Sequence, residues 1–279
     1  MKISIVIPVY NEVERLGACL EAISAQTVRP HEVIVVNNNS SDGTAGIAQS
    51  YDFVSLLSET RQGVVHARNR GFNAAKGDII ARIDADSILP VDWLESVRNI
   101  FESSEVDAVS GAPHYYDFPL ARLADAIDMP LRARLARKLG DTNFLWGANM
   151  ALRRSAWNDV VGRLCSEKGM HEDFDLAIHL QELGYKVAYE ESLQANVSSR
   201  RIDTTFAAYV RYTLVSPHTY AMHGLRSRRH MYSVLAACWL LYLPARLVYR
   251  SYDPRTGSYS VAQLLVASAS RVDPTTNII

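Results

Sequence analysis

The chain has 279 residues, of which 48% are hydrophobic and 21% are charged, and this length suits one large domain or two small ones with a buried core. Its 29 lysines and arginines almost balance its 30 aspartates and glutamates, which argues against a polycation that coats nucleic acid. The three cysteines lie far apart and include no Cys-x-x-Cys pair. They indicate neither a disulfide framework nor a zinc site, and they favour a reducing compartment.

Short apolar runs rich in β-branched residues alternate with helical patterns over about the first 100 residues. The first run, at 3–8, is too short for a signal peptide and lacks a cleavage site, so it predicts a buried strand. The remaining patterns predict strands at 32–36, 53–57 and 78–83 and helices at 14–26, 44–49 and 64–76, the last of them closed by Gly77. Such alternation predicts a parallel α/β sheet with right-handed crossovers.

The pattern after residue 91 is less regular. It predicts helices at 93–101, 120–139 and 174–183 and strands at 108–112 and 186–189, with a break or kink near Pro130 and a closing glycine at Gly184. Between 196 and 260 the chain has nine arginines and two aspartates, with neither lysine nor glutamate. No run reaches about 18 uninterrupted apolar residues, so no membrane-spanning helix is predicted.

Two carboxylates, Asp84 and Asp86, follow directly on the predicted strand at 78–83. Side chains two residues apart on a strand face the same way, so both are expected at the carboxyl end of a parallel strand, where α/β sheets bind ligands. Paired oxygen donors suit Mg²⁺ or Mn²⁺ bridged to a diphosphate. A lone Asp-x-Asp is more often a solvated turn, and this alternative stays open.

Polar residues also follow the first two predicted strands, so three segments gather at one edge of the sheet. Tyr10 could stack on a nucleobase, Glu12 could accept a hydrogen bond from it, and Asn38 could read its Watson–Crick edge. Alternatively, Tyr10 is an aromatic that packs in the protein, Glu12 is an acid of an early helical turn, and Asn38 forms a turn. Arg68, in the helix at 64–76, suits bidentate neutralisation of a diphosphate, although an exposed helix arginine is the commoner case.

Two further segments combine residues with possible chemistry. Glu172 and Asp173 lie at the start of the helix that follows 167–169. Either one of them is a general base for an acceptor hydroxyl, or both are ordinary carboxylates of a first helical turn. The stretch 146–154 places small residues between Trp146 and a basic pair. It suggests either a sugar stacked on the indole or tight packing of a strand.

Five segments together resemble family 2 glycosyltransferases, which are inverting enzymes of the GT-A fold. They are SIVIPVYNE (4–12), VIVVNNNSSDGT (33–44), ARNRGFNAAKGDIIARIDADS (67–87), WGANMALRR (146–154) and HEDFDLAIHLQELGYKV (171–187). The resemblance implies an α/β GT-A catalytic domain over 1–195, in which helices flank a mostly parallel sheet. An Arg-rich helical extension over 196–279 follows it.

The resemblance also implies roles for individual residues. A nucleotide-diphosphate sugar would be bound by Pro8, Tyr10, Glu12, Asn38, Arg68, Asp84 and Ala85. Asp84 and Asp86 would ligate Mn²⁺ or Mg²⁺. Asp173 would be the catalytic base, with Glu172 orienting the acceptor and Trp146, Gly147 and Asn149 on the acceptor side. The family commonly has two aspartates where this chain has Asn37 and Asn38, so UDP is favoured by family habit while GDP and dTDP stay open.

The Arg-rich extension admits three interpretations. Arg200, Arg201, Arg226, Arg228 and Arg229 could clamp the diphosphate or an acidic acceptor. Alternatively, they flank an apolar helix within 231–250 that contacts an anionic membrane surface, or that helix simply packs in the core. His218 or His223 could add a metal ligand, although a lone histidine is more often structural. We expect a cytoplasmic protein, with peripheral membrane contact as an option.

Two other functions compete with glycosyl transfer. A sugar-phosphate nucleotidyltransferase would need a glycine-rich phosphate loop after the first strand, and the segment PVYNEVERLG has none. A degenerate, non-catalytic sugar-nucleotide-binding protein would fit the Asn37–Asn39 stretch, but the chain keeps its acidic pairs. The acceptor is left open between a lipid-linked sugar, a polysaccharide end, a polyprenyl phosphate and a small metabolite. Nucleic acid is not an expected partner.

Overall fold

The computed structural model describes residues 1–140, 143–165, 167, 169–253 and 256–265. The final segment of the predicted extension, 266–279, lies outside these residues. The strands are β1 (Ile3–Val9), β2 (Glu32–Asn37), β3 (Val54–Ser58), β4 (Ile79–Ile83), β5 (Ala108–Tyr115), β6 (Asn149–Arg153), β7 (Val187–Val197), β8 (Tyr252–Asp253) and β9 (Ser258–Tyr259). The helices are α1 (Leu16–Ser24), α2 (Thr44–Gln49), α3 (Val64–Ala74), α4 (Trp93–Ser103), α5 (Ala121–Leu139), α6 (Arg154–Val160), α7 (Glu172–Glu182), α8 (Phe206–Met222) and α9 (Arg229–Ser251).

The main sheet has the strand order β3-β2-β1-β4-β6-β5-β7. Strands β1 to β4 pair in parallel, as do β5 and β7, whereas β6 runs antiparallel to both β4 and β5. The predicted α/β architecture with a mostly parallel sheet is therefore confirmed. The segment 146–154 contributes the antiparallel strand, which agrees with its interpretation as tightly packed strand.

Each face of the sheet carries its own apolar core, because alternate residues of a strand point to opposite sides. Ile5 and Ile7 of β1 pack on one side with residues of α1 and α4. Val6, between them, packs on the other side with residues of α3, α6 and α7. Helices thus cover both faces, as a parallel sheet with apolar strands requires.

The predicted helix ends agree with the structure at Gly184 and differ at Gly77. Gly184 follows α7 with a φ of +85°, the left-handed conformation in which glycine closes a helix. Helix α3 already ends at Ala74, and Gly77 serves a different purpose. Its amide donates to Ser4 Oγ at 2.8 Å, and a Cβ there would lie 2.7 Å from the same oxygen. Helix α5 continues through Pro130 without the predicted break.

The C-terminal extension begins after β7, which ends at Val197, just past the expected boundary at 195. Helices α8 and α9 contact each other, with Trp239 Nε1 donating to Thr213 Oγ1 at 2.9 Å. By length and composition alone, Arg226–Ser251 is long and apolar enough for a membrane span, and 17% of its apolar window is buried inside the protein. Leu240 and Leu243 are 81% and 61% exposed, so α9 carries an apolar face that the described residues leave exposed.

Candidate active site

The loops after β1 and β2 are tied to each other at the carboxyl edge of the sheet. Asn11, which has a positive φ of 54°, accepts a hydrogen bond from the Ser41 amide at 2.9 Å and donates its own amide to Ser40 Oγ at 3.1 Å. The Glu12 amide donates to Thr44 Oγ1 at 2.8 Å. These contacts bring the segments of Glu12 and Asn38 together, as the topology predicted.

Three predicted donor-binding residues lie on this edge with different exposure. Pro8 pairs with Val36 inside the sheet and is half-buried, and Tyr10 is half-buried directly after β1. Ala85 is 4% exposed between the two aspartates of the acidic pair. Their proposed contacts with a nucleotide stay predictions.

Asn38 is buried and its amide group is fully used within the protein. Its Nδ2 donates to the carbonyls of Glu59 and Arg61 at 3.0 and 2.7 Å. Its Oδ1 accepts from the amide of Gly63 at 2.7 Å and from Gln62 at 3.4 Å. In this structure Asn38 therefore holds the loop 59–63 against the end of β2. Base reading by Asn38 stays a prediction and would require these bonds to exchange.

The two carboxylates of the acidic pair occupy different environments. Asp84 has a 40% exposed side chain, whereas Asp86 is 8% exposed. Asp86 Oδ2 lies 2.8 Å from Nη2 of Arg200, which comes from the short helical turn Arg200–Asp203 of the extension. Asp84 therefore faces outward while Asp86 is already paired with a cation from the chain itself.

Arg200 bridges two predicted site residues, one of which lies 188 positions earlier in the chain. The same Nη2 that meets Asp86 also donates to Oε1 of Glu12. The other oxygen of Glu12, Oε2, is buried and has no hydrogen-bond partner among the described residues. Although burial lowers it, the hydrogen bond that Arg200 donates to Glu12 and the charges of Asp86 and Glu12 hold the pKa of Arg200 above its usual value. The sequence offered Arg200 only as one of five clamp candidates.

This arrangement fits a bound divalent cation at the acidic pair. Carboxylate oxygens are the donors that Mn²⁺ and Mg²⁺ prefer. The protein itself places a guanidinium on Asp86, and Glu12 Oε2 provides a buried acceptor nearby. The residues at this edge are therefore built to hold positive charge, which a metal ion would supply once Arg200 moves aside.

The second acidic pair lies at the N-terminal end of α7. Asp173 is 8% exposed, and its carboxylate accepts from the Gly147 amide at 2.8 Å and from the Phe174 amide at 2.9 Å. Burial, together with the adjacent negative charge of Glu172, raises the pKa of Asp173 to about 7. These contacts orient a carboxylate that can take up a proton near neutral pH.

The charge state of this pair depends on Arg82, a residue that the sequence analysis did not single out. It is the fourth of the five residues of the buried strand β4, and its side chain is 4% exposed. Its Nη1 donates to Glu172 Oε1 at 2.6 Å. Its Nη2 reaches Asp84 Oδ1 at 3.4 Å, so one guanidinium touches both acidic pairs. Although burial alone would raise it, Arg82 holds the pKa of Glu172 below its usual value. A charged residue inside an apolar strand was the signal that could have found it.

Gly147 makes room for this guanidinium. A Cβ at residue 147 would lie 2.5 Å from Cζ of Arg82, a distance that real contacts do not reach. The same residue donates its amide to Asp173. The predicted acceptor-side role of Gly147 stays a prediction, but its position beneath the acidic pair gives it a structural reason to be glycine.

Arg68 lies in a different place from the one expected of a donor ligand. Its side chain is fully buried, with the guanidinium 5.6 Å from the Trp157 ring centroid and 5.9 Å from that of Phe72. Its Nη1 donates to the carbonyl oxygen of Glu172 at 2.9 Å. Burial lowers the pKa of Arg68 to about 10. In this structure Arg68 supports the start of α7 from below and has no exposed surface to offer a diphosphate.

Trp146 and Asn149 are separated by the structure. Trp146 is half-buried, with the Arg132 guanidinium 4.8 Å from its ring centroid. Asn149 is fully buried: it accepts from Trp93 Nε1 at 3.0 Å and donates to the carbonyls of Leu193 and Ala112 at 2.7 and 3.2 Å. In this structure the Asn149 amide joins strands and α4 inside the core, and its acceptor-side role stays a prediction.

Comparison with known proteins identifies the family. The model described as Glycosyl transferase family 2 matches residues 4–161, more than half of the chain. The chain belongs to glycosyltransferase family 2. The resemblance drawn from the five sequence segments is thus confirmed.

This family 2 chain has relatives of known name. It is 32% identical over 165 residues to glycosyltransferase AglE of Haloferax volcanii, a match that covers 57% of the chain and 54% of AglE. It is 29% identical over 201 residues to the O-antigen chain rhamnosyltransferase RfbN of Salmonella typhimurium, covering 68% of the chain and 64% of RfbN. The chain spans about half the length of the curated relatives it matches, for example 54% of AglE and 40% of glycosyltransferase GlyG of Streptococcus pneumoniae.

Solved structures establish the fold of this family 2 chain. A mannosyltransferase of Pyrobaculum calidifontis, determined with GDP-mannose and Mn²⁺, matches with a TM-score of 0.64 at 22% identity, covering 95% of this chain and 78% of that one. Glucosyl-3-phosphoglycerate synthase of Mycobacterium tuberculosis, determined with Mn²⁺, UDP-glucose and phosphoglyceric acid, matches with a TM-score of 0.56 at 21% identity, covering 80% of each chain. The expected GT-A fold is confirmed.

The Arg82–Glu172 pair can be tested by unfolding. Arg82→Met is expected to lower the free energy of unfolding by about 3–5 kcal/mol, because it leaves the Glu172 carboxylate buried without its cation. In a Glu172→Gln background the same substitution should cost clearly less, since the buried charge is gone. Urea unfolding of the four proteins measures both costs, with Arg98→Met on the partly exposed side of α4 as control. Equal costs in the two backgrounds would contradict the pairing.

Proposed function

We propose that this family 2 chain is a metal-dependent inverting glycosyltransferase, which moves a sugar from a nucleotide-diphosphate donor to an acceptor hydroxyl. The observation that carries the proposal is the Asp173 carboxylate, which is buried, oriented by two backbone amides and has its pKa raised to about 7. A base with a pKa near the working pH is both ionised and basic enough to accept a proton in the reaction. A protein that only binds nucleotide sugars makes no use of such a group.

The donor class follows from the family and from the solved neighbours. Those neighbours were determined with GDP-mannose or with UDP-glucose, each together with Mn²⁺. In this chain the donor would lie at the sheet edge formed by the loops after β1, β2 and β4, near Tyr10, Glu12 and Asp84. We favour UDP by family habit. GDP and dTDP stay open, because Asn37 and Asn38 replace the two acids common in the family.

Asp84 and Asp86 would hold Mn²⁺ or Mg²⁺ in this proposal. When bound, the cation would offset the negative charge that develops on the departing diphosphate. Arg200 pairs with Asp86 and with Glu12, so we assign it the neutralisation of these two carboxylates before the donor enters. Its planar guanidinium also suits bidentate contact with phosphate oxygens once it leaves Asp86.

Asp173 would perform the proton transfer. The acceptor oxygen attacks the anomeric carbon while the bond between that carbon and the diphosphate oxygen breaks. Asp173 takes the hydroxyl proton, and the nucleoside diphosphate leaves with the bonding electrons. Because attack and departure occur on opposite faces of the sugar, the configuration inverts. The paired and ionised Glu172 would keep Asp173 in place and help to orient the acceptor.

The exposed face of α9 supports peripheral contact with a membrane. Leu240, Leu243 and Leu247 lie on one side of the helix and are 81%, 61% and 50% exposed. Arginines at 226, 228 and 229 precede them, a combination suited to an anionic bilayer surface. We therefore favour a glycan or lipid-linked acceptor at the cytoplasmic membrane face, as in the synthesis of a cell-envelope polysaccharide.

Substitution of the base tests the proposed reaction. Asp173→Asn should lower the transfer rate by about 10²–10⁴-fold, because the amide cannot accept the hydroxyl proton. Nucleotide-sugar binding should persist, seen as thermal stabilisation by UDP, GDP or dTDP sugars with Mn²⁺ present. Asp159→Asn, on the exposed surface of α6, is the matched control and should keep full activity.

Two results would contradict this assignment. Near-normal transfer by Asp173→Asn would place the base elsewhere. Failure of every nucleotide sugar to stabilise the wild-type protein with either metal would remove the donor site itself and with it the proposed class of reaction.

The pH profile tests the environment of the base. Because burial and Glu172 raise the pKa of Asp173 to about 7, the rate should fall as the pH falls through that value and the base becomes protonated. Glu172→Gln should move this acidic limb to lower pH, since a negative neighbour is removed while Arg82 stays. The measurement is the pH dependence of kcat under saturating donor and metal. A profile that is flat across neutral pH would contradict the role of Asp173.

Competition between Arg200 and the metal is directly measurable. Arg200→Met should bind Mn²⁺ more tightly in the absence of donor, by about tenfold, the equivalent of about 1.4 kcal/mol. The physical reason is that the ion no longer displaces a guanidinium from Asp86. Electron paramagnetic resonance of free Mn²⁺ gives the affinity. Arg201→Met is the matched control, because Arg201 stacks on Tyr212 instead. Unchanged or weaker binding by Arg200→Met would contradict the competition.

A further inference from the structure

Four side chains with metal-ligating atoms meet where α7 and α8 contact each other. Cys165 follows the short turn Val161–Arg163, Asp175 and His179 lie one turn apart on α7, and His223 directly follows α8. One ligand atom from each of the four lies within 4.8 Å of the other three. We call these four residues the Cys165 cluster. Neither the acidic pair nor the catalytic base belongs to it.

The distances within the Cys165 cluster are close to those between the ligands of one tetrahedral ion. Asp175 Oδ1 lies 3.0 Å from His223 Nε2 and 3.3 Å from His179 Nε2, and His179 Nε2 lies 3.6 Å from Cys165 Sγ. Zinc bonds of about 2.0–2.3 Å at tetrahedral angles separate neighbouring donor atoms by about 3.3–3.6 Å. Two of the three distances fall in this range, and small shifts of His223 and Asp175 bring the third into it.

The hydrogen bonds around His179 direct one of its ring nitrogens into the cluster. Its Nδ1 lies 2.8 Å from Glu182 Oε2, so a neutral ring donates there and directs the lone pair of Nε2 towards Cys165 and Asp175. In that orientation Nε2 is available as a metal ligand. A carboxylate behind a ligating histidine is the usual arrangement at zinc sites, where it orients the ring.

Three of the four side chains of the cluster are largely shielded from solvent. Asp175 is fully buried, and the side chains of His223 and His179 are 9% and 13% exposed. The Cys165 amide donates to Asp175 Oδ2 at 3.0 Å. This contact places the Cys165 thiol beside His179. Four protein ligands and little exposure are typical of structural zinc sites, whereas catalytic ones keep an open position.

We infer that Cys165, Asp175, His179 and His223 bind a structural Zn²⁺ ion. Thiolate and imidazole donors select zinc over the hard cations that suit the oxygen ligands at Asp84 and Asp86. The ion ties the end of α8 to the middle of α7, so it fastens the C-terminal extension to the helix that begins with Glu172 and Asp173. Next to it, the His171 amide already donates to Thr219 Oγ1 of α8 at 3.0 Å.

The test measures metal content rather than activity. Wild-type protein, stripped by a chelator and titrated with Zn²⁺ alone, should take up about one ion per chain and gain thermal stability. An Asp86→Ala variant should behave in the same way, because the acidic pair is not the site. Substitution by Co²⁺ should give the absorption of a tetrahedral site with a thiolate charge-transfer band.

Matched variants assign the ligands. Cys165→Ser and His223→Ala should lose the stoichiometric Zn²⁺ and the cobalt spectrum, whereas Cys238→Ser and His218→Ala, on α9 and on the exposed side of α8, should keep both. Wild-type protein that retains no zinc, or zinc that persists unchanged in Cys165→Ser, would overturn the inference. The outcome is independent of the proposed glycosyl transfer, since no donor or acceptor is present in the experiment.

Discussion

The burial of one guanidinium in the central sheet determines the electrostatics of the whole site. Arg82 is the charged residue of the otherwise apolar strand β4, and its head group lies against Glu172 and within reach of Asp84. One buried positive charge stabilises the ionised form of Glu172, which leaves Asp173 beside a negative neighbour in a desolvated place. Burial, and after it the negative charge of Glu172, raise the pKa of Asp173, because both disfavour its ionised form.

The backbone supports this charge arrangement from several sides. Gly147 leaves space for the Arg82 guanidinium and donates its amide to Asp173. Arg68, packed against Trp157, binds the carbonyl of Glu172 from below. The start of α7 is thus held by a strand, a loop and a helix, which explains why so many polar groups are buried at a site that must stay in one geometry.

The C-terminal extension contributes side-chain contacts to the candidate site. Arg200 reaches back to Glu12 and Asp86, and α8 contacts the residue before the second acidic pair through Thr219. The GT-A core therefore supplies the carboxylates, while the extension supplies a cation and a packing surface. Helix α9 of the extension also carries an exposed apolar face at Leu240, Leu243 and Leu247.

The sequence by itself determined the elements that depend on local pattern: the alternation of strands and helices, the mostly parallel sheet, the glycine that ends α7, and the five segments that mark the family. The tertiary structure alone decided which side chains touch. It brought Arg82 to Glu172, Arg200 to Asp86 and His223 to Asp175, and it buried Arg68 and Asn149, which the sequence placed at the ligand. Periodicity reports which residues share a face, whereas contacts between residues far apart in the chain depend on how helices and loops pack, and no local pattern encodes that.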